Sequence, residues 1–270
     1  MQIRKVGMSV LAMGFAVVAA SAARAASVSL TLPSDINQAV NPGVKGGLNV
    51  GFDGQTYNGA YVGQINWTVA GSTSPAYNVG DSLSTYCIQG LQDVYTGSTY
   101  TYNIVPLNST GLPLGGGDAG ILDSLAAMQI QGLANQYFPV AGSASGNFTA
   151  NQTAAAFQLA VWEIEYDGGL GAESFPQGSS FNYFSQGNLT ANANDSDGVA
   201  AISLANTWLN NFTASESVTS LALVSDGAQD QLVFQPGGGS TPPAAPLPAA
   251  FPAGAALLAG MFGARKLKRK

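Results

Sequence analysis

The chain of 270 residues carries 9 Lys+Arg against 15 Asp+Glu, a formal net charge of −6, and no histidine at all. The missing histidine removes Ser-His-Asp and Cys-His catalysis and His-ligated zinc. A low-charge chain without a basic stripe is also not a nucleic-acid binder.

The cations are placed at the two ends. Only Lys45 falls between Ala26 and Ala264, whereas every acid lies there, which gives that stretch a formal charge of −14. At the front, Arg4 and Lys5 precede an apolar run from Val6 to Ala20, and Ala23-Arg24-Ala25 supplies the small-x-small pattern of a signal-peptidase site. Residues 1–25 are therefore predicted to be a signal peptide, cut between Ala25 and Ala26. The apolar run is shorter than the ~20 residues a permanent anchor needs.

The exported body, 26–236, starts with strand patterns. Leu48, Val50 and Phe52 alternate with small or polar residues, Asp53-Gly54 offers a turn, Ile65, Trp67 and Val69 alternate again, and Tyr100, Tyr102 and Ile104 interleave with polar residues. The period then changes. From Asp118 as N-cap, Ile121, Leu122, Leu125, Met128 and Leu133 follow helical spacing up to Pro139. Thr149 and Gln152 have capping-box spacing and start a second helix that runs to about Asp167-Gly168-Gly169. A third begins near Asp197 with Val199, Ile202, Ala205, Leu209 and Phe212 on one face. Val218–Val224 and Gln231–Phe234 return to strand character. The expected class is α+β: an antiparallel β-rich domain, barrel- or sandwich-like, with about three helices inserted between N- and C-terminal strands.

Cys87 is the only cysteine, in the strand-like Ser84-Thr85-Tyr86-Cys87-Ile88-Gln89, and an exported protein meets an oxidising compartment. Three readings stay open: a buried inert thiol, an intermolecular disulfide, or a covalent bond to something other than sulfur. The second helix bears on the third. Between Ala154 and Ile164 apolar residues point in nearly every direction, so the segment is expected to be buried on most sides, with Gln158 in its middle. A buried carboxamide without a partner costs about 1–3 kcal/mol. Attack of the Cys87 thiolate on the Gln158 side chain, with loss of ammonia, would remove the thiol and the amide together. Phe157, Trp162 and Tyr166 would shield such a bond, or are ordinary core. Glu163, Glu165 and Asp167 form a local acidic cluster, read as a solvated helix end in preference to an acid/base role, and Asn194-Asp195-Ser196-Asp197-Gly198 reads as a turn and helix cap, since no distal bidentate Glu completes a calcium loop. No metal or cofactor site is expected, nor an enzyme.

After a Gly/Pro-rich linker, 237–245, the chain ends in Pro246-Leu247-Pro248, a nearly uncharged Ala/Gly stretch to Ala264, and the basic Arg265 to Lys270. Cationic residues beside an apolar segment mark the cytoplasmic side. The whole of 246–270 resembles the PEP-CTERM sorting signal of exported bacterial proteins, in the variant reading Pro-Leu-Pro-Ala. The resemblance implies an exosortase-type processing enzyme as partner, transient inner-membrane contact through the C-terminal segment, and delivery to the cell surface or extracellular matrix.

Tyr86-Cys87 followed by Phe157-Gln158-Leu159-Ala160-Val161-Trp162 resembles the thioester domains of bacterial surface adhesins. The string from Phe157 to Asp167 is similar to a group of PEP-CTERM proteins with the same pairing. The resemblance extends over Leu48 to Phe234, and its two short motifs are the specific part. It implies a Cys87–Gln158 link that an amine or hydroxyl on a target surface or matrix polymer can open. The expectation is an adhesin-like exported module. The alternative is a non-reactive structural component of the exopolysaccharide or biofilm matrix.

Overall fold

The structure, a computed structural model, describes residues 26–109, 112–113, 121–122, 124–168, 182–185, 187–215 and 217–234. The predicted signal peptide, linker and sorting signal lie outside them. The elements in chain order are β1 (Ser27–Thr31), a single helical turn α1 (Ile36–Ala39), β2 (Val40–Phe52), β3 (Gln55–Ser72), β4 (Ser82–Cys87), β5 (Thr99–Pro106), β6 (Leu112–Pro113), β7 (Ile121–Leu122), α2 (Ser124–Tyr137), α3 (Ala150–Glu163), β8 (Leu189–Ala193), α4 (Ser196–Leu209), β9 (Leu221–Val224) and β10 (Gln231–Val233).

The fold is the expected α+β arrangement. β1, β5, β9, β10, β4 and β3 form a closed circuit of antiparallel pairs, because β1 joins both β5 and β3. Closure removes the exposed edges that invite pairing with other chains. The long β3 makes this possible by changing partners along one edge. Its first part pairs with β2 and its last part, Thr68 to Ser72, with β1, while β4 takes the other edge at Ile65 to Thr68. β2 carries β8 on its far side as an extension of the sheet. β2 and β3 are joined by Asp53 and Gly54, both with positive φ (47° and 82°), the two-residue geometry whose twist matches a hairpin.

The alternating residues are buried as their period predicts: Leu48, Val50 and Phe52 on β2, Ile65, Trp67 and Val69 on β3, and Val28 and Leu30 on β1 all join one core. α3 and α4 cover the β3–β2–β8 part of the sheet, and α2 packs behind them. α3 packs on β2 and β3 on one side and on α4 on the other. Eleven of its residues, Thr153 to Glu163, are consequently buried. Thr149 caps it with a complete capping box, its hydroxyl accepting from the Gln152 N–H and the Gln152 side chain accepting from the Thr149 N–H.

Two helix expectations need correction. Ile121 and Leu122 belong to β7, paired with Leu112 and Pro113, and α2 starts only at Ser124; apolar spacing alone does not separate a short strand from the turn before a helix. The proposed cap Asp118 lies outside the described residues. In α4 the cap is Asp195, which accepts from the Gly198 N–H at 2.8 Å. The buried stripe is Ala201, Leu204, Ala205, Trp208 and Leu209, whereas Val199 is 60% exposed. That stripe has the i, i+3, i+4, i+7, i+8 spacing of a one-sided helix, and Val199 falls outside it.

Gly132 of α2 lies against the chain that follows α4. A Cβ there would run into the backbone of Thr213 and Ala214. Gly132→Ala is therefore expected to lower stability by about 1–3 kcal/mol despite its better helix propensity, as overpacking does. A denaturant midpoint equal to or above that of the unsubstituted protein would show that α2 yields without cost.

Candidate functional site

The candidate pair comes together where β3 leaves β4. The ladder between these strands runs only from Ile65–Thr85 to Thr68–Ser82, so Cys87, two residues further, has no β3 neighbour for its backbone. Gln158 of α3 takes that place. Its Oε1 accepts from the Cys87 N–H at 2.7 Å and its Nε2 donates to the Cys87 carbonyl at 2.8 Å. The side-chain amide continues the sheet as a single peptide unit would, which explains why a polar residue stands in the middle of a buried helix: an unpaired N–H and C=O at this depth would each cost about 1–3 kcal/mol. Cys87 is 5% exposed and Gln158 1%.

The gap between the two strands opens into a cavity of about 510 Å³ whose wall includes Cys87, Gln158, Gln229 and Trp162, with Tyr57 and Tyr61 also lining it. Both tyrosines are more than a third exposed. Trp162 packs edge-on against Phe52, ring centroids 5.0 Å apart. Tyr166 also lies on Phe52, and its hydroxyl accepts from the Gly90 N–H at 3.0 Å. Phe157 points the other way, into a cluster with Tyr86, Phe138 and Phe234. Of the three aromatics named from sequence, Trp162 shares the cavity wall with the pair, Tyr166 packs on Phe52 and Gly90 beside it, and Phe157 lies in the helix-side core.

The sulfur itself meets two glutamines that sequence reasoning passed over. Sγ donates to Gln229 Oε1 at 3.0 Å, and Gln231 Nε2 approaches Sγ at 3.9 Å. Two polar residues spaced by two at the start of a predicted strand share one face, and that was the available signal. Burial pushes the Cys87 thiol up to about 12; the Gln231 contact works against the rise and the Glu165 carboxylate adds to it. A thiol so placed is protonated at neutral pH, and its nucleophilicity depends on local donors and on proximity to an acceptor carbon.

The acidic helix end is not a solvated one. Glu163 is 3% exposed, Glu165 and Asp167 are half-buried, and the Asp167 carboxylate accepts from the backbone N–H groups of Asn188 and Leu189 at 2.8 and 2.9 Å. Glu163 is buried with the rest of α3, and the turn Ile164–Gly168, a π-helical extension of α3, places Asp167 at the start of β8. Among the described residues no group of three or more Cys, Asp or Glu could hold a metal ion, and no helix is long and apolar enough to cross a membrane.

No protein-family model matches the chain, and no curated protein or solved structure matches it.

Proposed function

We propose that the chain is an exported surface or matrix protein of the PEP-CTERM type whose thioester-domain-like body uses a Cys87–Gln158 bond to attach covalently to amine or hydroxyl groups. The observation that supports this reading is the seating of the Gln158 carboxamide on Cys87 at the wall of an open cavity. In the reaction the Sγ–Cδ bond forms, the Cδ–Nε2 bond breaks, and ammonia leaves with the thiol proton. The Cys87 N–H, already 2.7 Å from Oε1, would stabilise the oxyanion that develops on attack, the role backbone donors play in acyl transfer. The test is the intact mass of the mature protein, which should be lower by one ammonia than its sequence requires; the full sequence mass would exclude the closed bond.

A second reading has its own support. The Sγ hydrogen bond to Gln229 and the pairing of the Gln158 amide with both backbone groups of Cys87 also describe a cysteine at rest in a core. On that reading the protein is a non-reactive component of the matrix.

The address rests on sequence. Replacing both Pro246 and Pro248 with Ala is expected to leave the protein in the inner membrane with Arg265 to Lys270 still attached, since a basic tail resists translocation. Fractionation followed by detection of the C-terminal peptide checks this, and release at the normal level would remove the processing motif from the proposal.

A further inference from the structure

We propose that Gln229 and Gln231 are the positioning residues of the Cys87 thiol, Gln229 aiming its S–H and Gln231 supporting the sulfur as it acquires negative charge. The proposal rests on the thioester reading, because it assigns these residues a part in that attack. Its geometry is independent of whether the bond closes.

Both side chains are locked with opposite ends toward the sulfur. The Trp67 Nε1–H donates to Thr85 Oγ1 at 2.9 Å, and the Thr85 hydroxyl donates to Gln231 Oε1 at 2.7 Å. With its oxygen thus engaged, Gln231 turns its Nε2 to the Gln229 carbonyl at 2.9 Å and to Sγ at 3.9 Å. Gln229 is held the other way round: its Nε2 donates to the Gln89 carbonyl, which leaves Oε1 facing the sulfur. The thiol therefore sits between one acceptor and one donor. Thr85, Gln231 and Trp67 are at most 1% exposed, and a barrel interior needs no such polar chain for packing, since apolar residues of similar volume would fill it without hydrogen-bond demands. What the chain does is fix which atom each amide shows to Cys87.

The two contacts have opposite effects on the thiol. An acceptor for the S–H stabilises the protonated form, and a donor to sulfur stabilises the thiolate. When the sulfur attacks Gln158, its proton must leave with the departing nitrogen, so the Gln231 donor gains importance along the reaction and the Gln229 acceptor loses it.

The experiment uses the full body with Gln158→Ala, in which Cys87 stays a thiol whatever the fate of the thioester reading. Iodoacetamide alkylation of Cys87 is followed across pH 8 to 10, where the rate tracks the thiolate fraction. Adding Gln231→Met should slow alkylation at every pH, by about tenfold for a shift of one pKa unit; adding Gln229→Met should speed it. Loss of packing alone would change both variants in the same direction. Equal rates in parent and both variants, or shifts of the same sign, overturn the proposal, and if one variant does not fold by circular dichroism the sign of the other decides. With Gln158 restored, Gln231→Met should also slow the loss of ammonia seen by mass. A wild type that never loses ammonia would refute the thioester, while the alkylation signs would still judge the two glutamines.

Discussion

Mature protein treated with methylamine is expected to gain one methylamine at Gln158 and to expose one thiol at Cys87, in an all-or-none change that neither Cys87→Ala nor Gln158→Ala undergoes. A thioester carbonyl is open to amines, whereas a primary amide is inert on the same timescale, so the adduct separates the two states of Gln158 without ambiguity. Access is provided by the cavity, whose wall contains both residues. Closure needs sulfur and carbon within about 3–3.5 Å, and the carboxamide is already hydrogen-bonded to the backbone of the attacking residue. The variants should differ in stability. Gln158→Ala strips the Cys87 N–H and C=O of their partner at a buried edge, a loss of about 1–3 kcal/mol for each group, whereas Cys87→Ala removes one sulfur and leaves that pairing intact. An untreated wild type that titrates with one thiol, shows its full sequence mass and takes up no amine would mean that Cys87 is a core cysteine, and the matrix reading would stand.

The parts of this structure that were legible in sequence are those set by local rules. Alternation at Leu48–Phe52 and Ile65–Val69 places the sheet, Asp53-Gly54 fixes its hairpin, and Thr149 with Gln152 fixes the start of α3. The all-round apolar character of 154–164 correctly indicates a helix covered on most sides, and a glutamine within it directs attention to Cys87. What could not be read is tertiary in origin. Closure of the barrel depends on β3 exchanging β2 for β1 along one edge, a choice made by residues forty positions apart. The phase of α4 depends on which side faces α3 and β8, and five small or large apolar residues outvote Val199. Gln229 and Gln231 gain their meaning only from β10 lying beside β4. A carboxylate near a helix end is usually solvated, and only the packing around α3 buries Glu163.

That carboxyl should make stability depend on pH. Burial, and after it the charge of Asp167, push Glu163 up from 4.5 to about 9; one of its oxygens, Oε2, has no hydrogen-bond partner among the described residues. At neutral pH the folded protein therefore holds a proton on Glu163 that the unfolded chain has released. Where the folded state binds more protons, stability falls as pH rises, so Glu163 should erode stability progressively between about 4.5 and 9, with no further loss above the upper value. Each pKa unit is worth about 1.4 kcal/mol, so the span from 4.5 to about 9 is worth on the order of 6 kcal/mol. Glu163→Gln keeps the shape of the neutral acid and cannot ionise. It should match the wild type within about 1 kcal/mol near pH 5, where both side chains are uncharged, and exceed it by several kcal/mol at pH 9, where the folded wild type must either carry a buried charge or open. Urea midpoints measured at pH 5, 7 and 9 give the slopes directly. Parallel slopes in the two proteins would show that Glu163 is ionised in the folded state at neutral pH, and that the end of α3 is hydrated after all.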